Sequence, residues 1–233
     1  FASFAALLVS QRVSLAERSW QRRLWIAVGG LAMGAGIWAM HFVGMLAFSL
    51  PCSTAYDPVI TFISMIPGVL ASTLAIAMIS RDALTRRQLA LGGLLLGVGI
   101  GSMHYTGMAA YRMDGFIRYD LPLFLLSIVV AVALATLALW IKFRLASSRL
   151  PGMGTGLLLS ALVMGCAVSG MHYTAMAAAY FVHDGEMAPV AASMVPSFLA
   201  AVVLVVTSTI IVITLIATYF TRPQSASLRN NVW

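Results

Sequence analysis

Long apolar stretches separated by short polar and basic segments dominate this chain. A helix needs roughly 20 apolar residues to cross a bilayer core. Six runs reach that length: about Leu24–Leu50, Pro58–Ser80, Leu89–Tyr111, Leu121–Ile141, Gly152–Tyr180 and Pro196–Phe220. A seventh run, Phe1–Val9, is too short to span and reads as the second half of a truncated helix that starts upstream. It lacks the basic start and the cleavage site of a secretory signal. The pattern predicts an all-α membrane protein with seven transmembrane helices, the first one truncated. Composition agrees: 61% of the residues are hydrophobic and 9% are charged, against about 25% charged in soluble domains.

The charge pattern adds an orientation. Arg12, Arg18, Arg22, Arg23, Arg81, Arg86, Arg87, Lys142, Arg144, Arg149, Arg222 and Arg229 fall in alternate connections and the tail, so 12 of the 14 basic residues lie on one side. The positive-inside rule assigns that side to the cytoplasm. The opposite connections hold Arg112 and Arg118 with Asp57, Asp114, Asp120, Asp184 and Glu186. The expected topology is multi-pass, with the N-terminus outside and the C-terminus cytoplasmic. The net charge of +7 is thereby explained as topology, and nucleic acid is not an expected partner.

Within the spans a unit recurs. Gly29, Gly34, Gly36, Met40 and Gly44 match Gly92, Gly97, Gly99, Met103 and Gly107 at a fixed interval, and Gly165 and Met171 continue the series. Each glycine-bearing helix is followed by a helix with proline near its start (Pro58, Pro122, Pro196), where the missing N–H has no intrahelical acceptor to lose. The chain thus reads as three two-helix repeats plus a leading helix. Small-residue faces such as Gly30-x-x-x-Gly34 and Gly93-x-x-x-Gly97-x-x-x-Gly101 permit close helix contact in lipid. They predict helices 2, 4 and 6 as an inner trio, ringed by the others. Chance glycine pairs are common in membrane helices, but three aligned copies are not.

The repeat also carries the chemistry. Met40-His41-Phe42-Val43-Gly44-Met45, Met103-His104-Tyr105-Thr106-Gly107-Met108 and Met171-His172-Tyr173-Thr174-Ala175-Met176 stand near the outer ends of the three inner helices. Histidine and the second methionine are four residues apart and share a helix face, so His41, His104 and His172 with Met45, Met108 and Met176 can point at one region. The first methionines, Met40, Met103 and Met171, are turned about 100° away and can reach a neighbouring helix or a second centre. Thioether and imidazole suit copper best. Zinc on three histidines and haem stay open as alternatives. A single methionine in a membrane helix is usually packing material, whereas ionisable side chains inside a bilayer are rare and costly. Three histidines in the same frame are not explained by packing.

Neighbouring residues carry weaker signals. Tyr105 and Tyr173 are hydrogen-bonding or interfacial aromatics, and Met33 and Met164 are packing residues. His183, Asp184, Glu186 and Met187 are a solvated loop that can guide ions inward. Cys52 and Cys166 are too few for a disulfide framework, and nothing makes either a ligand. No nucleophile–base or carboxylate pair lies in the spans, so the chain is not expected to be an enzyme.

These motifs resemble the MHYT domain, a bacterial inner-membrane sensor module, and the resemblance covers nearly the whole chain. Met-His-Tyr-Thr is complete at 103–106 and 171–174, and Phe42 and Val43 depart from it in the first copy. The resemblance implies copper bound through Met and His and sensing of O2, CO or NO. It also implies fusion in cis to cytoplasmic GGDEF and EAL domains that make and degrade cyclic di-GMP. A sensor domain over 1–220 is then expected, with a cytoplasmic tail over 221–233 leading to an output domain. A copper transporter or channel and a haem electron-transfer protein are the competing functions, and a homodimer is an open option.

Overall fold

The structure, a computed structural model, describes residues 1–50, 53–81, 85–147, 153–183 and 193–221. Its helices are α1 (Ala2–Leu15), α2 (Ser19–Ala47), α3 (Pro58–Ile63), α4 (Met65–Ile79), α5 (Arg86–Ala110), α6 (Leu121–Ser147), α7 (Met153–Ala177) and α8 (Pro196–Phe220). Short strands β1 (Thr54–Tyr56), β2 (Tyr111–Met113), β3 (Gly115–Tyr119) and β4 (Ala179–His183) lie in the connections. Six helices or helix pairs are long and apolar enough to cross a membrane among the described residues, with α3 and α4 counted as one. The expected tail falls almost wholly at 222–233, outside the described residues, as do Cys52, Asp184, Glu186 and Met187.

Local signals set the helix starts. Thr85 and Gln88 form a reciprocal capping box at α5, which satisfies two N–H groups that the first turn leaves without partners. Asp57 accepts from the Ile60 N–H at 3.0 Å and is followed by Pro58 at the first helical position. The run expected as one helix over Pro58–Ser80 is instead divided at Ser64. Pro67 has no N–H to give the Ile63 carbonyl, and its ring crowds that carbonyl. At the break the Thr61 carbonyl accepts from Trp38 Nε1 at 2.8 Å and from Ser64 Oγ at 2.7 Å. The kink therefore docks onto α2.

Helices α2, α5 and α7 form the inner trio and meet one another. Their glycine grooves mainly hold the surrounding helices. A Cβ at Gly30 or Gly34 would strike Thr73 or Val69 of α4, and one at Gly93 or Gly97 would strike Thr136 or Val132 of α6. On the opposite flank Gly36 abuts Ala2 of α1 and Gly99 abuts Ala71 of α4. Thus α4 fills the gap between α2 and α5, α6 that between α5 and α7, and α1 packs between α7 and α2. Helix α8 lies farther out, on α2 and α1. Among the described residues, a Cβ at Gly165, the third-copy counterpart of Gly34 and Gly97, would meet nothing within 4 Å.

The connections at the C-terminal ends of the inner trio close into a ring. β1 pairs antiparallel with β2, and β3 with β4. Tyr56 and Met194 exchange backbone hydrogen bonds of 2.9 and 2.8 Å, which returns the third connection to the first. Gly115 (φ 140°) makes the turn between β2 and β3, where a side chain would be strained and would hit the Val182 carbonyl. The Asp57 and Asp120 N–H groups donate to the Ala110 and Ala178 carbonyls, each at 2.8 Å. The first two connections are thereby each tied to the end of the next inner helix.

Candidate metal centre

His41, His104 and His172 project from the three inner helices into one fully buried cluster. Their Nδ1 atoms form a triangle with edges of 3.1 Å (His41–His104), 3.3 Å (His104–His172) and 3.4 Å (His41–His172). The rings stand edge to face, with centroids 4.8–5.3 Å apart. A neutral imidazole presents either a proton or a lone pair at Nδ1. Around an odd ring of three, one pair must match, proton against proton or lone pair against lone pair. The cluster cannot satisfy itself by hydrogen bonding. A cation at its centre would meet three lone pairs at once, and that centre lies about 1.9 Å from each nitrogen, close to a metal–imidazole bond of about 2.0 Å. The residues present therefore fit a metal ion.

Glycine on the adjacent motif explains how the rings fit. A Cβ at Gly107 would overlap His41 Nε2, and one at Gly44 would overlap His172 Nε2. The Nε2 atoms of His41 and His104 are buried and have no hydrogen-bond partner. The outward edge of the His41 ring is thus held by close packing and not by an acceptor. This role for the motif glycines is invisible in one helix read alone, because each contact runs between residues of different inner helices far apart in sequence.

Layers above and below enclose the triangle. One turn toward the interior of the bundle, Ile37, Ile100 and Val168 are buried. Beyond them Met33, Leu96, Met164 and Ser160 line an apolar void of about 10 Å³, room for at most one water. On the other side Met45 and Met108 are fully enclosed and Met176 is partly buried. Above these, Phe42, Tyr56 and Tyr111 pack edge to face at 5.9 and 5.3 Å beneath the strand ring.

The other predicted residues separate. Met103 packs against Gly68 of α4, on the flank of α5 that faces the surrounding helix; Met171 is buried and Met40 partly so. The three aromatic positions of the motif differ. Phe42 is buried against Trp38. Tyr105 points to α6, its hydroxyl 2.8 Å from Ser127 Oγ. Tyr173 is 67% exposed. None of the three occupies the centre of the triangle. His183 lies apart on β4, its Nδ1 2.9 Å from the Asp114 carbonyl, and Cys166 is exposed on α7.

Comparison with known proteins accords with this arrangement. Residues 34–92, 97–155 and 165–226 each match the family model MHYT, described as a bacterial signalling protein N-terminal repeat. The bifunctional diguanylate cyclase/cyclic di-GMP phosphodiesterase MucR of Pseudomonas aeruginosa is 46% identical over 92% of this chain and 31% of its own length. The signaling protein YkoW of Bacillus subtilis is 37% identical over 81% of this chain and 23% of its own. The cyclic di-GMP phosphodiesterase NbdA of P. aeruginosa is 39% identical over 67% of this chain and 20% of its own. The chain spans less than a third of the length of these relatives. No solved structure gives a significant match.

Proposed function

The chain belongs to the MHYT family of bacterial signalling proteins, and from that premise we propose that it is a copper-binding sensor for a cyclic di-GMP output. It is a multi-pass membrane signalling domain, and the portion of the relatives it matches is the signalling repeat and not a catalytic domain. Copper, its signal and its output are our reading.

The observation that carries this reading is the odd triangle of buried Nδ1 atoms. His41, His104 and His172 hold the metal, and Met45, Met108 and Met176, one turn nearer the ring of strands, supply soft sulfur that favours Cu(I) over zinc. With the metal held by the three histidines, the site would supply reversible binding of a diatomic gas (O2, CO or NO). Haem fits poorly, because imidazole nitrogens this close cannot lie on opposite faces of a macrocycle. The positive-inside pattern supports a centre toward the periplasmic side of an inner membrane, with α8 leading inward to GGDEF or EAL domains in cis. Occupancy of the centre would bias the packing of α2 against its neighbours, and α8, which rests on α2 and α1, would carry that change. Such a switch responds only to a ligand that binds its two states with different affinity.

Copper per protomer after expression in copper-supplemented medium tests the reading. We expect about one copper in wild type and trace amounts in the His41→Ala/His104→Ala/His172→Ala variant; equal trace amounts in both would sink it. The buried Ile37, Ile100 and Val168 layer argues against a through-path, since conduction needs polar groups along the pore. Proteoliposomes carrying the protein should take up copper no faster than empty ones.

A further inference from the structure

The histidines are spaced alike in the three motifs, but the residue three positions later is glycine twice and alanine once: Gly44, Gly107 and Ala175. His172 rests against Gly44 of α2, and His41 rests against Gly107 of α5. By the pseudo-threefold relation the remaining ring, His104, would be seated on Ala175 of α7, which is fully buried. Two imidazoles thus lie on bare backbone, and the same relation gives the third a methyl-bearing seat. The triangle is uneven in the corresponding sense: its longest edge, 3.4 Å, joins the two glycine-seated rings, and both edges to His104 are shorter, at 3.1 and 3.3 Å.

We propose that the residue three positions after each histidine is a positioning residue that sets how far the next helix's imidazole advances toward the centre, and that Ala175 makes the site two-plus-one, with His104 as the forward ligand. The inference rests on the copper reading above and names what gives that site its shape. A glycine seat lets the ring sit back against the neighbouring helix; a methyl drives it forward. Each inner helix contributes a ligand to the centre and the seat for another helix's ligand. No ring can then be displaced without moving a second helix, a coupling that a sensor requires.

Two substitutions test this in the purified full chain, with Cu(I) affinity read by competition against a chromophoric chelator and the oxidised site read by Cu(II) EPR. Gly107→Ala places a methyl where the His41 ring now lies, and should weaken Cu(I) binding at least tenfold. Gly92→Ala is the control on the same helix: its Cβ would meet the flexible ends of Met78, 3.1 Å away, and Leu139, 3.4 Å away, and copper binding should be unchanged. Ala175→Gly removes a methyl and lets His104 retreat; copper stoichiometry should hold and the rhombic splitting of the EPR signal should narrow. Should Gly107→Ala fail to fold, Ala175→Gly still decides. Wild-type affinity in Gly107→Ala, or an EPR signal unmoved by Ala175→Gly, would overturn the seat assignment. A wild type that takes up no copper would overturn the reading beneath it.

Discussion

Histidine and glycine divide the work at the centre: one brings the nitrogen, the other makes room for it. Positions that look equivalent in sequence differ in their partners, and this gives separable expectations. Ser127 Oγ donates to the Phe124 carbonyl, so the Tyr105 hydroxyl is the donor in its contact with Ser127. Tyr105→Phe should lower stability by about 1 kcal/mol, while Tyr173→Phe should be silent; thermal unfolding in detergent distinguishes them. Asp57 in the ring of connections has its carboxyl held below the usual range, first by the Ile60 backbone N–H and then by Arg112, 3.2 Å away. A depressed carboxyl stabilises fully above its unfolded value of about 3.9 and loses that contribution as pH falls through the folded value. Asp57→Ala should therefore cost about 1 kcal/mol at pH 7, and the gap between the two proteins should close below about pH 4. The histidine–methionine pairing is legible in the sequence because i and i+4 share a face. Which ring nitrogen faces the centre, and what seats each ring, are not, because both depend on how separate helices meet.

Elements repeat that contrast. The apolar runs and their glycines are readable in one dimension, since lipid requires every backbone group to be bonded within the helix and small residues mark close approach. The break at Ser64 was readable too, from Pro67, but a run of hydrophobic residues conceals it. The strands carry no such signal: at three to five residues they are too short for a period to show, and pairing with distant connections defines them. The glycine grooves yield a sharp expectation. Gly97→Val presses on the Val132 backbone, whose Cα would lie 2.6 Å from an added Cβ, and should cost about 1–3 kcal/mol. Gly165→Val, at the same position of the third repeat, faces open space and should change stability by less than about 0.5 kcal/mol. Similar losses at both sites would mean that the groove of α7 is filled after all.

At the scale of the whole molecule, three repeats place three histidines around one axis, and the strand ring ties their outer ends together. The inner trio was foreseeable from the repeat. The place of α8 was not: it follows the third inner helix in sequence, as α3–α4 follows α2, yet α1 packs beside α7 and α8 rests on α2 and α1. Two helices suit one gap, and a linear pattern does not say which takes it. Of the inner trio, α2, which carries His41, is the helix that α8 chiefly rests on. Central to the proposed function is that three imidazoles from three helices share a single metal ion. X-ray absorption on the copper-loaded, reduced protein tests it most directly. Three nitrogen neighbours at about 2.0 Å, falling to two in each single His→Ala variant, is the predicted result; a copper shell made of sulfur alone, unchanged in those variants, would contradict it.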